Sequence, residues 1–185
     1  VVGSLETPTS LLAALGHKLS SNPRFQTGTL GRSDCLTILQ YFNDSVLGSP
    51  ILDKSTLRRL PFYPSKSGDM ISLRDQRVTV LSSEIPQIGL DTIQKESDMK
   101  FLEDISELSK LYRFLAFDCP GPVDVYRAFV LPHFSTLSKE ARQTHLEYIK
   151  DKLLPSLSEK NEDKRKLLET LKTTAVITTH IGMLT

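Results

Sequence analysis

Apolar residues recur at helical spacing over most of the chain. After Pro8, Leu12, Leu15 and Leu19 share one side of a helix. Thr7 or Thr9 can cap it, and Pro8 suits its first turn. The turn-rich stretch NPRFQTGTLGR interrupts the pattern. Ser33 is then placed to cap a second helix carrying Cys35, Leu39, Phe42 and Val46 on one face and ending at Gly48 to Pro50. DKSTLRRL reads as a short helical turn. Beyond Asp91 the helical period returns, with Phe101, Ile105, Leu108, Tyr112 and Leu115 in one long stripe. DCPGP stops that stripe, and VDVYRAFVL reads as a short buried helix ended by Pro132. Two amphipathic helices follow. One starts at Ser138, turns Leu146, Ile149 and Leu153 inward and breaks at Pro155; the other is capped by Asn161 and turns Leu167, Leu171 and Ala175 inward. The short link LPSLSEK predicts that these two form an antiparallel pair.

One stretch departs from this period. Leu60 to Ser82 reads LPFYPSKSGDMISLRDQRVTVLS. Residues 60–64 and 70–74 read as paired strands about the turn SKSGD, where Gly68 supplies the positive φ such turns need. Pro61 and Pro64 lack an amide donor and point to an edge strand. Val78 and Val80 alternate with polar neighbours, as in a third strand. The prediction is a mainly helical α+β module over residues 1–185. It has helices within 8–59, a small antiparallel hairpin or three-stranded sheet at 60–82, and helices over 91–177. Side chains alternate along a strand, so Phe62 and Tyr63 are expected on opposite sheet faces, one of them exposed. With Lys66, Arg74 and Arg77 around it, that aromatic forms the candidate protein-contact surface. The plainer role for the sheet is to fix the angle between two helical halves.

Composition narrows the function. Of 185 residues, 39% are hydrophobic and 24% charged, an ordinary globular balance. A net charge of +1 argues against a dedicated nucleic-acid binder. Cys35 and Cys119 lie in or beside apolar runs, which predicts buried free thiols and a reducing compartment such as the cytoplasm. No apolar run approaches the ~18 residues that a membrane span needs. The start, VVGSLETPTS, is unlike a signal peptide and lacks an initiating Met, so the chain reads as cut from something longer.

The search for chemistry returns little. Neither a GxxxxGK[ST] nor a GxGxxG phosphate loop is present, and GTLG at residues 28–31 lacks the basic flanks of a nucleic-acid clamp. His17, His133, His145 and His180 are scattered without metal-ligand spacing and read as surface or half-buried residues. A nucleophile at Cys119 partnered by His133 or His180 would sit in a turn that mainly ends a helix. Arg127 and His133 have the Arg-x(4–6)-His spacing of HEPN ribonucleases, the alternative enzymatic reading, but Pro132 would distort the helix holding them. The acid pairs Glu103–Asp104 and Glu162–Asp163 read as helix-start charges that offset the dipole. The expectation is a non-enzyme with no cofactor and no metal.

The string LRRLPFYPSKSGDMISLRDQRVTVL adds a resemblance. Leu60, Pro61, Phe62, Gly68, Ser72 and Leu73 are similar to a segment recurring in modules of the sacsin family: Leu-Pro-aromatic, polar residues, Gly, then a Ser-Leu-ended strand. The flanking helices extend the likeness over most of the chain. The resemblance implies a repeat module of a large cytosolic co-chaperone, following ATP-binding domains similar to those of the ninety-kilodalton heat-shock chaperone. It implies links to the seventy-kilodalton heat-shock system, protein clients, intermediate filaments and mitochondrial organisation. Ubiquitin-like, J and HEPN domains would lie elsewhere. The HPD tripeptide of a J domain and the glycine-rich nucleotide box of the ATPase do not occur here, so neither activity carries over to this chain.

Overall fold

The computed structural model describes residues 7–22, 30–47, 52–74, 76–158 and 161–174. The Gly48–Pro50 stop, Gly28 and Thr29 of GTLG, Ala175 and His180 lie outside the described residues. Helix α1 spans Pro8–Ser21, capped by the Thr7 hydroxyl, and buries Leu12, Leu15 and Leu19 as predicted. Helix α2 (Arg32–Ser45) starts two residues earlier than expected. Gly31 is its cap residue and Ser33 falls inside the first turn, where its carbonyl takes the Thr37 hydroxyl. Helix α3 (Lys54–Arg59) is capped by Asp53, whose carboxylate accepts from the Ser55 and Thr56 amides.

Strands β1 (Tyr63–Pro64) and β2 (Met70–Ile71) form the expected hairpin, shortened to the residues nearest the turn. The third strand, β3 (Arg77–Leu81), is present but does not continue the hairpin. Helix α4 (Leu90–Ser97) follows it, and the chain returns as β4 (Met99–Glu103) parallel to β3. The stretch read as a helical stripe from Phe101 therefore opens with a strand in a β–α–β crossover. Glu103 accordingly lies at a strand end rather than a helix start. One further bridge joins these pairs. Ser65 pairs with Leu102, and the Lys66 amide donates to the Phe101 carbonyl at 2.9 Å. The strands thus form two two-stranded sheets, antiparallel β1–β2 and parallel β3–β4, set side by side through that bridge, with Asp118 bridged to Thr79 beyond β3.

Pleating explains what the parallel sheet does. Val78, Val80 and Leu102 join one apolar cluster with Leu12, Leu39 and Leu111; Leu81, Met99 and Phe101 join a second with Ile93, Tyr126 and Ile149. The sheet is thus covered on both faces and separates two helical cores. Helix α5 (Ser109–Phe114), after a 3₁₀ turn at Ser106–Leu108, completes the first core. Helix α6 (Pro122–Val125) continues as a π turn over Tyr126–Val130, and α7 (Lys139–Tyr148), capped by Ser138, continues as a π turn over Ile149–Leu153 into α8 (Leu154–Ser156). Each π turn stands just ahead of a proline, Pro132 or Pro155, whose missing donor and ring widen the preceding turn. Helix α9 (Glu162–Thr173), capped by Asn161 as expected, buries Leu167 and Leu171. It packs mainly on α6 and the following π turn, not as an antiparallel partner of α7.

His145 also departs from expectation. It is fully buried in the second core, not half-exposed. Its Nε2 lies 2.9 Å from the Ile88 carbonyl, which can only accept, so Nε2 carries the proton; Nδ1 then accepts from the Tyr126 hydroxyl at 2.8 Å. The spacing of Ala141, His145 and Tyr148 on one helical face was the available signal. Beside it, Gly89 has φ +80°, and a Cβ there would come within 2.9 Å of Leu137 Cδ2 and 3.0 Å of Ala141 Cβ. Gly89→Ala is therefore expected to cost about 2 kcal/mol from left-handed strain and crowding. Urea denaturation reads this as a lower midpoint, and an unchanged midpoint would show that α7 yields freely.

Candidate functional site

The predicted contact residues divide into two groups. Phe62, Tyr63 and Lys66 are buried, against expectation; Arg74 and Arg77 are exposed. The alternation argument fails because the strand begins at Tyr63 and Phe62 still lies in the preceding turn. Both rings enter the first core. Tyr63 donates its hydroxyl to the Leu57 carbonyl at 3.0 Å and meets the edge of Phe117, ring centres 6.0 Å apart. Burial pushes the Tyr63 phenol far above its ordinary range. The Lys66 ammonium donates to the Ser82 carbonyl at 2.7 Å, tying the hairpin turn to the end of β3. Burial lowers its pKa, while the Glu103 and Asp104 carboxylates pull it back up. These three residues fasten the sheet and offer no surface to a partner.

Arg74 and Arg77 border a groove of about 650 Å³ that runs from β2 to the starts of β3 and β4 and also contains Pro61, Met70, Asp98 and Lys100. A smaller recess shares Pro61 and Arg74 and adds Arg59. The backbone here is strained. Arg74 has φ +42° and Asp98 φ +49°, two of the three non-glycine residues with positive φ among the described residues. Such conformations persist where surrounding structure holds them, and they cluster at functional sites. At Arg74 the holder is Arg58. Its carbonyl accepts from the Leu73 and Arg74 amides at 2.8 and 3.1 Å. Its guanidinium donates to the carbonyls of Arg74 at 3.0 Å, Gln76 at 2.6 Å and Leu115 at 3.5 Å, and lies 5.2 Å from the centre of the Phe117 ring. Arg58, Asp98 and Lys100 were not singled out from the sequence. A positive φ at an arginine leaves no compositional mark, and Lys100 joins the groove only through β4.

The residues considered for catalysis have separate partners. Arg127 reaches the Thr170 hydroxyl at 3.4 Å and Asp124 at 3.9 Å, whereas His133 Nδ1 donates to the Phe129 carbonyl at 2.8 Å. Cys35 is buried as expected, but Cys119 is exposed, because the turn holding it caps the open side of β3. Desolvation, then the Asp104 and Asp118 carboxylates, raise the Cys119 thiol pKa, which disfavours the thiolate a nucleophile needs. Glu103 forms an ion pair with Arg32 at 2.6 Å. Among the described residues no His, Cys, Asp and Glu cluster could hold a metal ion, and no helix is long and apolar enough to cross a membrane.

Two helical cores on either side of the parallel β3–β4 pair, with the small antiparallel hairpin beside it, make this chain a mainly helical α+β module of non-repetitive sequence. It is similar to a segment of human sacsin, with 31% identity over 176 residues, covering 94% of this chain and 4% of the length of sacsin. The chain is a sacsin-like module. No family model matches it, and no solved structure matches it.

Proposed function

We propose that the chain is a non-catalytic structural and protein-contact module of a large, multidomain, chaperone-related protein. The observation that carries this reading is the similarity to sacsin along nearly the whole chain. The architecture supports it: one sheet shared by two cores makes a rigid block able to hold its neighbours at a fixed angle. In this reading its partners are an adjacent ATP-binding unit of the same protein and, through the whole, protein clients and the seventy-kilodalton heat-shock system. The setting is cytoplasmic, with chaperone-linked quality control and intermediate-filament organisation as the wider role, and association with mitochondria through the full-length protein.

The test is thermal melting of the chain alone and joined to the ATP-binding unit that a sacsin-like arrangement places beside it, with and without ATP. A melting temperature of the joined module that changes with nucleotide is the expected result, because anything binding the coupled folded state stabilises it. Independent melting at every nucleotide concentration would remove the ATP-binding unit as a partner.

A further inference from the structure

We infer that His145 is a proton-operated latch on the start of α4: a second proton on its ring releases the Ile88–Gly89 turn from α7, and α4 opens while the first core stays closed. This goes beyond the structural and contact role proposed above and does not depend on it.

The ring's bonds supply the first argument. His145 is fully buried and both of its nitrogens are engaged. Nε2 donates to the Ile88 carbonyl at 2.9 Å, and Nδ1 accepts from the Tyr126 hydroxyl at 2.8 Å. Only a neutral imidazole does both. A second proton has to sit on Nδ1, where it meets the Tyr126 hydroxyl proton. The phenol must then turn its proton away from the bond it makes now. A positive charge also arises inside an apolar cluster, which is costly unless an opposite charge is beside it.

The surroundings hold no such charge. The titratable groups nearest the ring are Tyr126, whose own ring meets it edge-on at 5.6 Å, and Tyr148, stacked on Tyr126. Glu84, ahead of α4, bears on Tyr148. On the π turn, Arg127 is held by Thr170 and Asp124, and beyond it His133 is held by the Phe129 carbonyl. Asp91 at the start of α4 and Glu147 on α7 are exposed, and Arg142 on α7 is half-buried. Among the described residues no carboxylate acts on the ring; burial lowers its pKa and the Ile88 carbonyl offsets part of that.

The third argument is where this site can give way. Tyr126, Ala141 and Tyr148 are buried, but Ile88 and Gly89 are only half-buried. Gly89 is the cap residue of α4 and offers no side-chain oxygen to its free amides. The backbone bonds along this stretch are long: 3.2 Å from the Ile85 amide to Ser82, 3.1 Å from Leu90 to Gln87 and 3.3 Å from Ile93 to Gly89. The His145 bond to Ile88 ties this turn to α7. Without it the turn can lift and carry Leu90 and Ile93 out of the second core. Opening exposes the ring, whose proton affinity returns to that of an ordinary histidine. Opening therefore becomes easier as pH falls below ~6.5.

Amide hydrogen exchange of the whole chain at pH ~7.5 and ~5.5, corrected for the intrinsic exchange rate, tests this. The α4 amides should exchange ahead of global unfolding, through an opening that low urea hardly accelerates. Their protection should fall about tenfold between the two pH values. Those α1 amides that also exchange ahead of global unfolding should keep theirs. His145→Gln can still donate to the Ile88 carbonyl but takes no proton, so its α4 protection should be level across the range. If that variant fails to fold, the contrast between α4 and α1 in the unaltered chain decides the matter. Unchanged α4 protection, α4 exchange by global unfolding alone, a fall shared by α1, or a fall that persists in His145→Gln would overturn the inference.

Discussion

Arg58→Ala is expected to lower the unfolding free energy by about 3 kcal/mol, because a half-buried guanidinium bonding three carbonyls is worth more than a neutral pair. Arg58 joins α3 to the segment after β2 and to the end of α5 through the carbonyls of Arg74, Gln76 and Leu115. Removing it leaves those acceptors short of a donor and strips the face of Phe117 of its cation. Arg58→Lys keeps the charge but cannot reach three acceptors with a planar fork, so it should recover less than half of the loss. Urea denaturation at neutral pH provides the measurement. If Arg58→Ala shifted the midpoint no more than an ordinary surface substitution, the clamp would contribute nothing to the fold. Left-handed Arg74 would then need another holder.

His145→Ala should destabilise by about 3 kcal/mol, from a cavity plus two orphaned polar partners. The Tyr126 hydroxyl would lose its acceptor and the Ile88 carbonyl its donor. The same site sets a pH dependence. Desolvation lowers the His145 pKa below 6.5, outweighing the Ile88 carbonyl, which favours the protonated ring. The unfolded chain therefore binds a proton in a range where the folded chain does not. His145 contributes its full stability above about 6.5, and this is lost as pH falls from there through the lower folded-state value. His145→Phe keeps most of the volume and removes the titration, so the two unfolding curves should converge on acidification. An unchanged gap between them from pH 7 to about 5 would show that His145 does not titrate on unfolding.

Much of this protein is decided locally and can be read from the chain. Thr7, Ser138 and Asn161 cap their helices because a cap needs only a side-chain oxygen and amides two or three residues away. Leu12, Leu15 and Leu19 face a core because one helical period determines one face. Gly68 turns the hairpin because positive φ is open to it at no steric cost. Five cationic or aromatic residues were assigned to one contact surface from the same local logic. Of the five only Arg74 and Arg77 are exposed.

What the tertiary structure decided has a common cause: the partner is distant in sequence. The spacing of Phe101, Ile105 and Leu108 satisfies a helix as well as a strand followed by a 3₁₀ turn, and only pairing with β3 selects the strand. Phe62 and Tyr63 are both buried in the first core, Phe62 from the turn that precedes β1, which no pattern within the hairpin discloses. Lys66 is spent on the Ser82 carbonyl and His145 on Tyr126 and Ile88, contacts formed only after the chain has folded back. Sequence by itself determined the helices, their caps, the hairpin turn and the likeness to sacsin. The register of β4, the clamp at Arg58 and the location of the groove bordered by Arg74 and Arg77 had to wait for the fold, because each depends on elements that meet only in three dimensions.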